Sequence, residues 1–247
     1  MIDNPLFWVT AVISVIITGI SKGGFGGLAL LAVPLMALTI SPVQAAGIML
    51  PILIVMDWVS VWSYRKSWDK RLLWLMLPGA GLGIVAAWMF AGYVDDQFVR
   101  ICVGVIAVCF PIFAIFKPKG REDILKDNKP IGIIAGIAAG FTSFIAHAGG
   151  PPFQAYAIPQ GLEKRLYAGT GVMFFAVVNF VKLVPYALLG QFDKSNLTTS
   201  LILIPLAPIG VLIGVWLIKR IDQQLFYRIL YGLIFAVGVK LLWDGLV

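Results

Sequence analysis

Residues 20–30 read "ISKGGFGGLAL", a lysine and four glycines between two hydrophobic runs. A glycine inside a helix costs about 1 kcal/mol relative to alanine, and a lysine deep in an apolar segment needs a partner or a task. The run therefore breaks where a membrane-crossing helix would otherwise continue. A second break, "HAGGPP" at 147–152, interrupts a similar apolar stretch. About 14 residues precede the first joint and about 12 follow it, so each piece covers only ~20 Å at ~1.5 Å per residue. That is short of a ~30 Å hydrocarbon core. Two readings fit: one long broken span, or a hairpin that enters and leaves on the same side.

The composition places both joints in a membrane. Of 247 residues, 60% are hydrophobic and 13% charged, with a mean hydropathy of +0.94; soluble domains are nearer 45–50% apolar and about 25% charged. Apolar stretches of about 20 residues recur from end to end. The chain is expected to be an all-α polytopic membrane protein whose first partner is the lipid bilayer. "MIDNPLFWV" lacks the positive n-region of a cleavable signal, so the first apolar run is expected to stay. The net charge of +7 does not imply nucleic acid, because the basic residues sit at the ends of apolar stretches, where the positive-inside rule expects them. Cys102 and Cys109 share one apolar segment without a CxxC or Cys/His cluster, so neither a metal nor another cofactor is expected. Tryptophans near segment ends, such as Trp68 and Trp74, read as interface anchors.

The chain repeats itself. "GGLALLAVPL" (26–35), "PVQAAGIML", "SWDK", "GAGLG" and "DDQFVRICVG" are matched in order by "GGPPFQAYAIP" (149–159), "RLYAGTGVMF", "QFDK", "GVLIG" and "DQQLFYRILYG". Gly79 and Gly83 thus correspond to Gly210 and Gly214, and Arg100 and Gly104 to Arg228 and Gly232. The expected organisation is a first repeat over 1–116, a cytoplasmic linker over 117–129 and a second repeat over 130–247. Each repeat divides into four apolar stretches, at 5–39, 43–64, 72–92 and 98–116, then 130–160, 166–190, 197–218 and 225–246. Glycines spaced four apart suit close helix packing in lipid.

Charge discriminates between the two readings of the joints. If each first stretch crosses once, the halves share one orientation, and Lys164, Arg165, Lys219 and Arg220 face outside. If each is a re-entrant hairpin followed by three transmembrane helices, the second half is inverted. Arg65, Lys66, Lys70, Arg71, the linker, Lys164, Arg165, Lys219 and Arg220 then share the cytoplasm, leaving "VDDQ" (94–97) and "QFDKSN" (191–196) outside. The positive-inside rule favours inverted repeats.

Inverted repeats with broken helices are a transporter architecture. Non-helical backbone at membrane depth is tolerated only where it is buried in protein or lines a wet cavity. The tips at 21–27 and 147–152 would enter from opposite sides and meet near the midplane, presenting backbone N–H groups and half-helix N-termini, which favour anions. The candidate substrate-binding residues are Ser21, Lys22, Gly23, Gly24, Gly26 and Gly27 at the first joint, and His147, Gly149, Gly150 and Gln154 at the second. Ser143 and Thr170 are further hydroxyl donors near the joints. Asn179 and Lys182, within 166–190, join the binding set; Asp57, at a corresponding place in 43–64, is the candidate for charge compensation or ion coupling. Each has a plainer alternative: Lys22 and Asp57 as ion-pair partners, Lys182 as a structural or interface charge, His147 as a satisfied structural histidine.

The motifs "KGGFGG" and "HAGGPP", the following "AAG" and "AGTG", and the paired "GAGLG" and "GVLIG" resemble the sulfite exporter TauE/SafE family of bacterial membrane proteins over essentially the whole chain. Phe25 interrupts the usual first glycine triplet, and prolines follow a doublet in the second. The resemblance implies a secondary transporter, an exporter of sulfite, sulfoacetate or related organosulfonates, in the bacterial inner membrane. A second copy of the chain, as a homodimer, stays open as a partner.

A rival reading comes from "GISKG" (19–23), which matches the G-x-S-x-G of serine hydrolases. That motif works at a strand-to-helix elbow, and no strands are expected here. An intramembrane hydrolase would need His147 as the base for Ser21. The glycines have another explanation in the repeat, so no enzymatic activity is expected. A channel-like anion pathway is the other alternative.

Overall fold

The computed structural model describes residues 4–23, 28–93, 95–115, 126–217 and 223–247, which form helices and no strand. The first repeat contributes α1 (Pro5–Lys22), α2 (Ala32–Met36), α3 (Pro42–Tyr64), α4 (Lys70–Ala91) and α5 (Asp96–Ile115). The second contributes α6 (Lys129–Ala146), α7 (Gly150–Ala157), α8 (Lys164–Leu188), α9 (Lys194–Leu203), α10 (Leu206–Leu217) and α11 (Gln223–Leu246). Among the described residues five helices are long and apolar enough to cross a membrane, or six with α9 and α10 taken as one bent span. The chain is a multi-pass membrane protein.

Local sequence sets the helix starts. Asn4, Ser41, Asp69, Asn128 and Asp193 each accept a backbone N–H at the first turn, satisfying donors a helix leaves open. One expected stretch is divided: 197–218 bends by 46° between α9 and α10. Pro205 lies in that break; it has no N–H to donate and its ring obstructs the preceding turn. The linker expected at 117–129 lies largely outside the described residues, and its last residue, Lys129, already belongs to α6.

The chain doubles back at both joints. After α1 and α2 it returns so that the Thr39 hydroxyl lies 3.4 Å from that of Thr10, midway along α1. After α6 and α7 it returns so that the Gln160 side-chain carbonyl accepts the backbone N–H of Asp127, 3.1 Å away, beside the start of α6. Further contacts sort the loops into two ends. At one end Thr170 accepts the Asp69 N–H (2.8 Å) and Arg71 pairs with Asp127 (3.0 Å). At the other Gln44 donates to Asn196 (3.1 Å) and Gln97 to the Gly245 carbonyl (2.9 Å). Among the described residues Arg65, Lys66, Lys70, Arg71 and Arg165 lie at the first end with Asp69, Asp127 and Glu163; Asp95, Asp96, Asp193, Arg100 and Lys194 lie toward the second.

Glycines allow the helices that carry the joints to touch backbone to backbone. A Cβ at Gly79 would lie 2.5 Å from the Ile133 carbonyl oxygen, and one at Gly83 would run into that of Ile137. Gly136 and Gly140 answer from α6 against Met76 and Ala80. The corresponding Gly210 and Gly214 meet Ile16 and Ile20 of α1, the latter with its carbonyl 2.5 Å from a Cβ at Gly214. Each GxxxG helix, α4 and α10, therefore packs on one of the broken helices, α6 and α1, respectively. The Arg100/Gly104 match is less faithful: Gly104 abuts Leu242, whereas Gly232 faces open space.

Candidate functional site

The first joint is built around a buried ion pair. Lys22 ends α1 as its last helical residue, capped by Gly23, whose N–H reaches back to the carbonyls of Gly19, Ile20 and Ser21. Its ammonium pairs with Asp57 Oδ1 of α3, the two side chains being 12% and 4% exposed. Asn179 of α8 donates to the other carboxylate oxygen at 2.6 Å. Two bonding directions of the carboxylate are thus filled, which its burial demands. Lys22 also sits 5.9 Å from the centre of the Phe175 ring.

The second joint is tied by side chains. His147 caps α6 in the left-handed region, at φ 52°, a conformation non-glycine residues adopt rarely and histidine more readily than most. Its Nε2 lies 3.0 Å from the Ala46 carbonyl of α3. A carbonyl only accepts, so Nε2 carries the proton and Nδ1 is the acceptor. Nδ1 receives a hydrogen bond from Lys182 Nζ at 2.7 Å, and that nitrogen also donates to the carbonyl (2.9 Å) and hydroxyl (3.0 Å) of Ser143. Tyr186, one turn further along α8, donates to the Phe144 carbonyl at 2.5 Å. Lys182 is fully buried with three acceptors around it; it holds the joint in place.

Between the joints lies a cavity of about 990 Å³. Ser21 and Lys22 line it from the first joint, and Ser143, His147, Gly150 and Gln154 from the second. It runs past Ser60, Ser63 and Tyr64 to Leu162 and Arg165 at the cation-rich end. Its described lining contains Lys22, Arg165 and His147 but no aspartate or glutamate. A second cavity of about 250 Å³ lies toward the other end, lined by Ala46, Phe144, Tyr186 and Cys102 among others. His147 lines the first cavity and Ala46 the second, so their hydrogen bond crosses the partition. Phe175 touches both joints, with Cε1 3.0 Å from where a Cβ on Gly149 would stand.

Most of the candidates gather here, with differences. Ser21, Lys22, His147, Gly150, Gln154 and Asn179 line the cavity. Gly149 lies behind it, where a Cβ would stand 2.6 Å from the Ala139 carbonyl oxygen, and Gly23 serves as the α1 cap. Gly24, Gly26 and Gly27 lie outside the described residues. Asp57 and Lys182 are held behind the wall, the first by Lys22 and Asn179, the second by Ser143 and His147. Thr170 is away from the cavity: it accepts from Asp69 and donates to the Leu166 carbonyl at 2.6 Å, joining α8 to the start of α4. Both ring nitrogens of His147 are engaged by Lys182 and Ala46, an arrangement unlike that of a base poised on Ser21.

Ser60, Tyr64 and Tyr186, which were not among the candidates, stand at helical spacing from candidates that were. Asp57, Ser60 and Tyr64 recur at i, i+3 and i+7 on α3, and Asn179, Lys182 and Tyr186 do the same on α8. A polar stripe at helical spacing inside a membrane span marks a face turned from lipid. Arg165, at the start of α8, was read only as one of a group of cytoplasmic cations.

No curated protein and no solved structure matches the chain. The model of the sulfite exporter TauE/SafE family matches residues 11–241. With nearly the whole chain covered, and with both glycine joints inside the match, the protein belongs to the sulfite exporter TauE/SafE family.

Proposed function

We propose that the protein is a secondary transporter that exports small sulfur-containing anions, such as sulfite, sulfoacetate or related organosulfonates, across the bacterial inner membrane. The lining of the large cavity carries this reading: a lysine at its inner end, an arginine toward its mouth, and no carboxylate on the described wall. Such a surface attracts anions and rejects cations. The Gly150 N–H adds a neutral donor at the start of α7, where Pro151 and Pro152 have none.

The fold is read as inverted repeats, each a re-entrant hairpin followed by three spans. The return contacts of Thr39 with Thr10 and of Gln160 with Asp127 support the hairpins. The gathering of cations at the end to which the cavity extends supports a cytoplasmic opening. Partition of the space into two cavities by the His147–Ala46 layer favours alternating access over a channel, which needs one continuous path.

Two measurements test this. In proteoliposomes, efflux of labelled sulfite or sulfoacetate should saturate and be inhibited by other sulfonates more than by matched carboxylates. Carriage of cations or neutral solutes in their place would overturn the anion reading. With Cys102 and Cys109 replaced, a cysteine at Ser195 should react with an impermeant maleimide from outside, and one at Glu163 should not; the reverse pattern would restore parallel, single-pass repeats.

A further inference from the structure

We propose that Asp57 is the site that carries a proton with the anion, taking the proton up when the anion takes its place on Lys22. This deepens the transport reading above and rests on it. Lys22 is the cavity-lining cation nearest the joints, and Asp57 lies directly behind it, off the wall. The ammonium that an entering anion needs is therefore already held by a carboxylate. Anion and carboxylate compete for one charge.

The groups around Asp57 set the outcome of that competition. Lys22 faces it from α1 and Asn179 from α8. The next cation is Lys182 on α8, whose nitrogen is directed at Ser143 and His147 on α6. His147 is itself turned between Lys182 and the Ala46 carbonyl. Arg100, the charged side chain of α5 nearest α2, donates to the Ala37 carbonyl at 2.6 Å, beyond the other end of the hairpin. When the anion draws Lys22 away, Asp57, at 4% exposure, keeps one direct donor, the Asn179 amide, with the Lys182 ammonium near but hydrogen-bonded to Ser143 and His147. Breaking a buried ion pair from one side is costly, and a proton placed on Oδ1 offsets that cost.

The exchange balances. The Lys22 Nζ–H···Oδ1 hydrogen bond breaks, and an Nζ–H···anion hydrogen bond forms. One proton from the solution on the anion's side, relayed by cavity water, goes to Oδ1, while Asn179 keeps its bond to Oδ2. A monoanion then crosses with one proton and no net charge, and a dianion carries one net negative charge. On release both steps reverse, and the Lys22–Asp57 pair re-forms. Ser60 and Asn179, on the cavity wall next to Asp57 in chain or hydrogen bonding, give the proton its approach.

The test uses the full chain in proteoliposomes with methanesulfonate and sulfoacetate, whose sulfonates keep their charge across the working pH range. Counterflow of labelled probe reports transport without a net driving force, so absence of counterflow in the wild type for both probes counts against the transport reading itself. Given counterflow, an imposed pH gradient should drive wild-type accumulation of methanesulfonate at least tenfold, with an internal dye reporting one proton per anion. Wild-type net flux without proton movement overturns the proposal. Asp57→Asn, which mimics the protonated acid and frees Lys22, should lower the half-saturating concentration in counterflow about tenfold and abolish gradient-driven accumulation. Accumulation by Asp57→Asn equal to wild type also overturns it. If that variant does not insert, the wild-type proton-to-anion ratio decides by itself.

Discussion

The two joints are held by different chemistry. At the first, the charge comes from the joint itself, Lys22 at the end of α1, and the opposing helix α3 supplies Asp57. At the second, the chain turns at a histidine in a left-handed conformation, prolines start the next helix, and α8 supplies Lys182. Asp57 and Lys182 stand at roughly corresponding places along α3 and α8, and a carboxylate pairs with the first joint while an ammonium ties the second. The first joint's cation lines the cavity. The second joint's cation is enclosed by protein acceptors. One joint is suited to exchange partners and the other to hold still.

The largest expected effect tests the packing beneath the second joint. Gly140→Leu would drive a side chain into the Ala80 carbonyl, where neither backbone can yield. We expect loss of folded, monodisperse protein by fluorescence-detected size exclusion. Gly232→Ala, with nothing within 4 Å of its Cβ, should elute as wild type. A normal profile for Gly140→Leu would mean that the close α4–α6 contact does not support the joint.

Next come the two lysines. Lys182→Met leaves Ser143 and His147 without their donor, and each unsatisfied buried partner costs about 1–3 kcal/mol. With two such partners, the melting temperature should fall by roughly 4–24 °C at the 2–4 °C per kcal/mol typical of this chain length. Lys22→Gln should instead weaken anion binding about ten- to a hundredfold, at about 1.4 kcal/mol per decade. It also strands Asp57, since breaking a buried pair costs about 3–5 kcal/mol; Lys22→Gln/Asp57→Asn should recover the stability but not the affinity. Recovery of both would make Lys22 a structural charge alone. A greater loss of stability in Lys22→Gln/Asp57→Asn than in Lys182→Met would reverse the contrast between a mobile and a fixed joint.

The smallest effects separate two adjacent glycines. Gly149→Val meets the Ala139 carbonyl and should impair transport more than insertion, while Gly150→Ala has only the Gln154 amide, at 3.8 Å, near its Cβ. Stability of Gly150→Ala should stay within about 0.5 kcal/mol of wild type, as for a surface change. Its methyl faces the cavity, so half-saturation for sulfoacetate should rise a few-fold. Equal effects at both positions would show that the joint, rather than its cavity face, governs transport.

How much of this was legible depends on which forces act locally. Hydropathy, the glycine joints, the caps and the duplication are written in runs of neighbouring residues, and the helices α1, α3, α4, α6 and α8 begin and end near the places those signals mark. Pro205 was equally visible, but whether a proline kinks a span depends on what packs around it; Pro51 and Pro78 lie inside unbroken helices. The candidate residues near the joints were legible as polar atoms in an apolar setting, which must be satisfied by something. What satisfies them is decided at long range. Asp57 and Lys22 are 35 residues apart, and Asn179 lies 122 residues from Asp57; no spacing rule connects them. Thr170 looked like a donor for the site and is drawn instead to Asp69, 101 residues away. By itself the sequence determined a duplicated membrane chain with two broken helices, because burial of apolar surface and helix breaking depend on local composition. Only the tertiary structure decided which lysine faces the cavity and which is enclosed, because buried charges take partners from whichever helices the packing brings beside them.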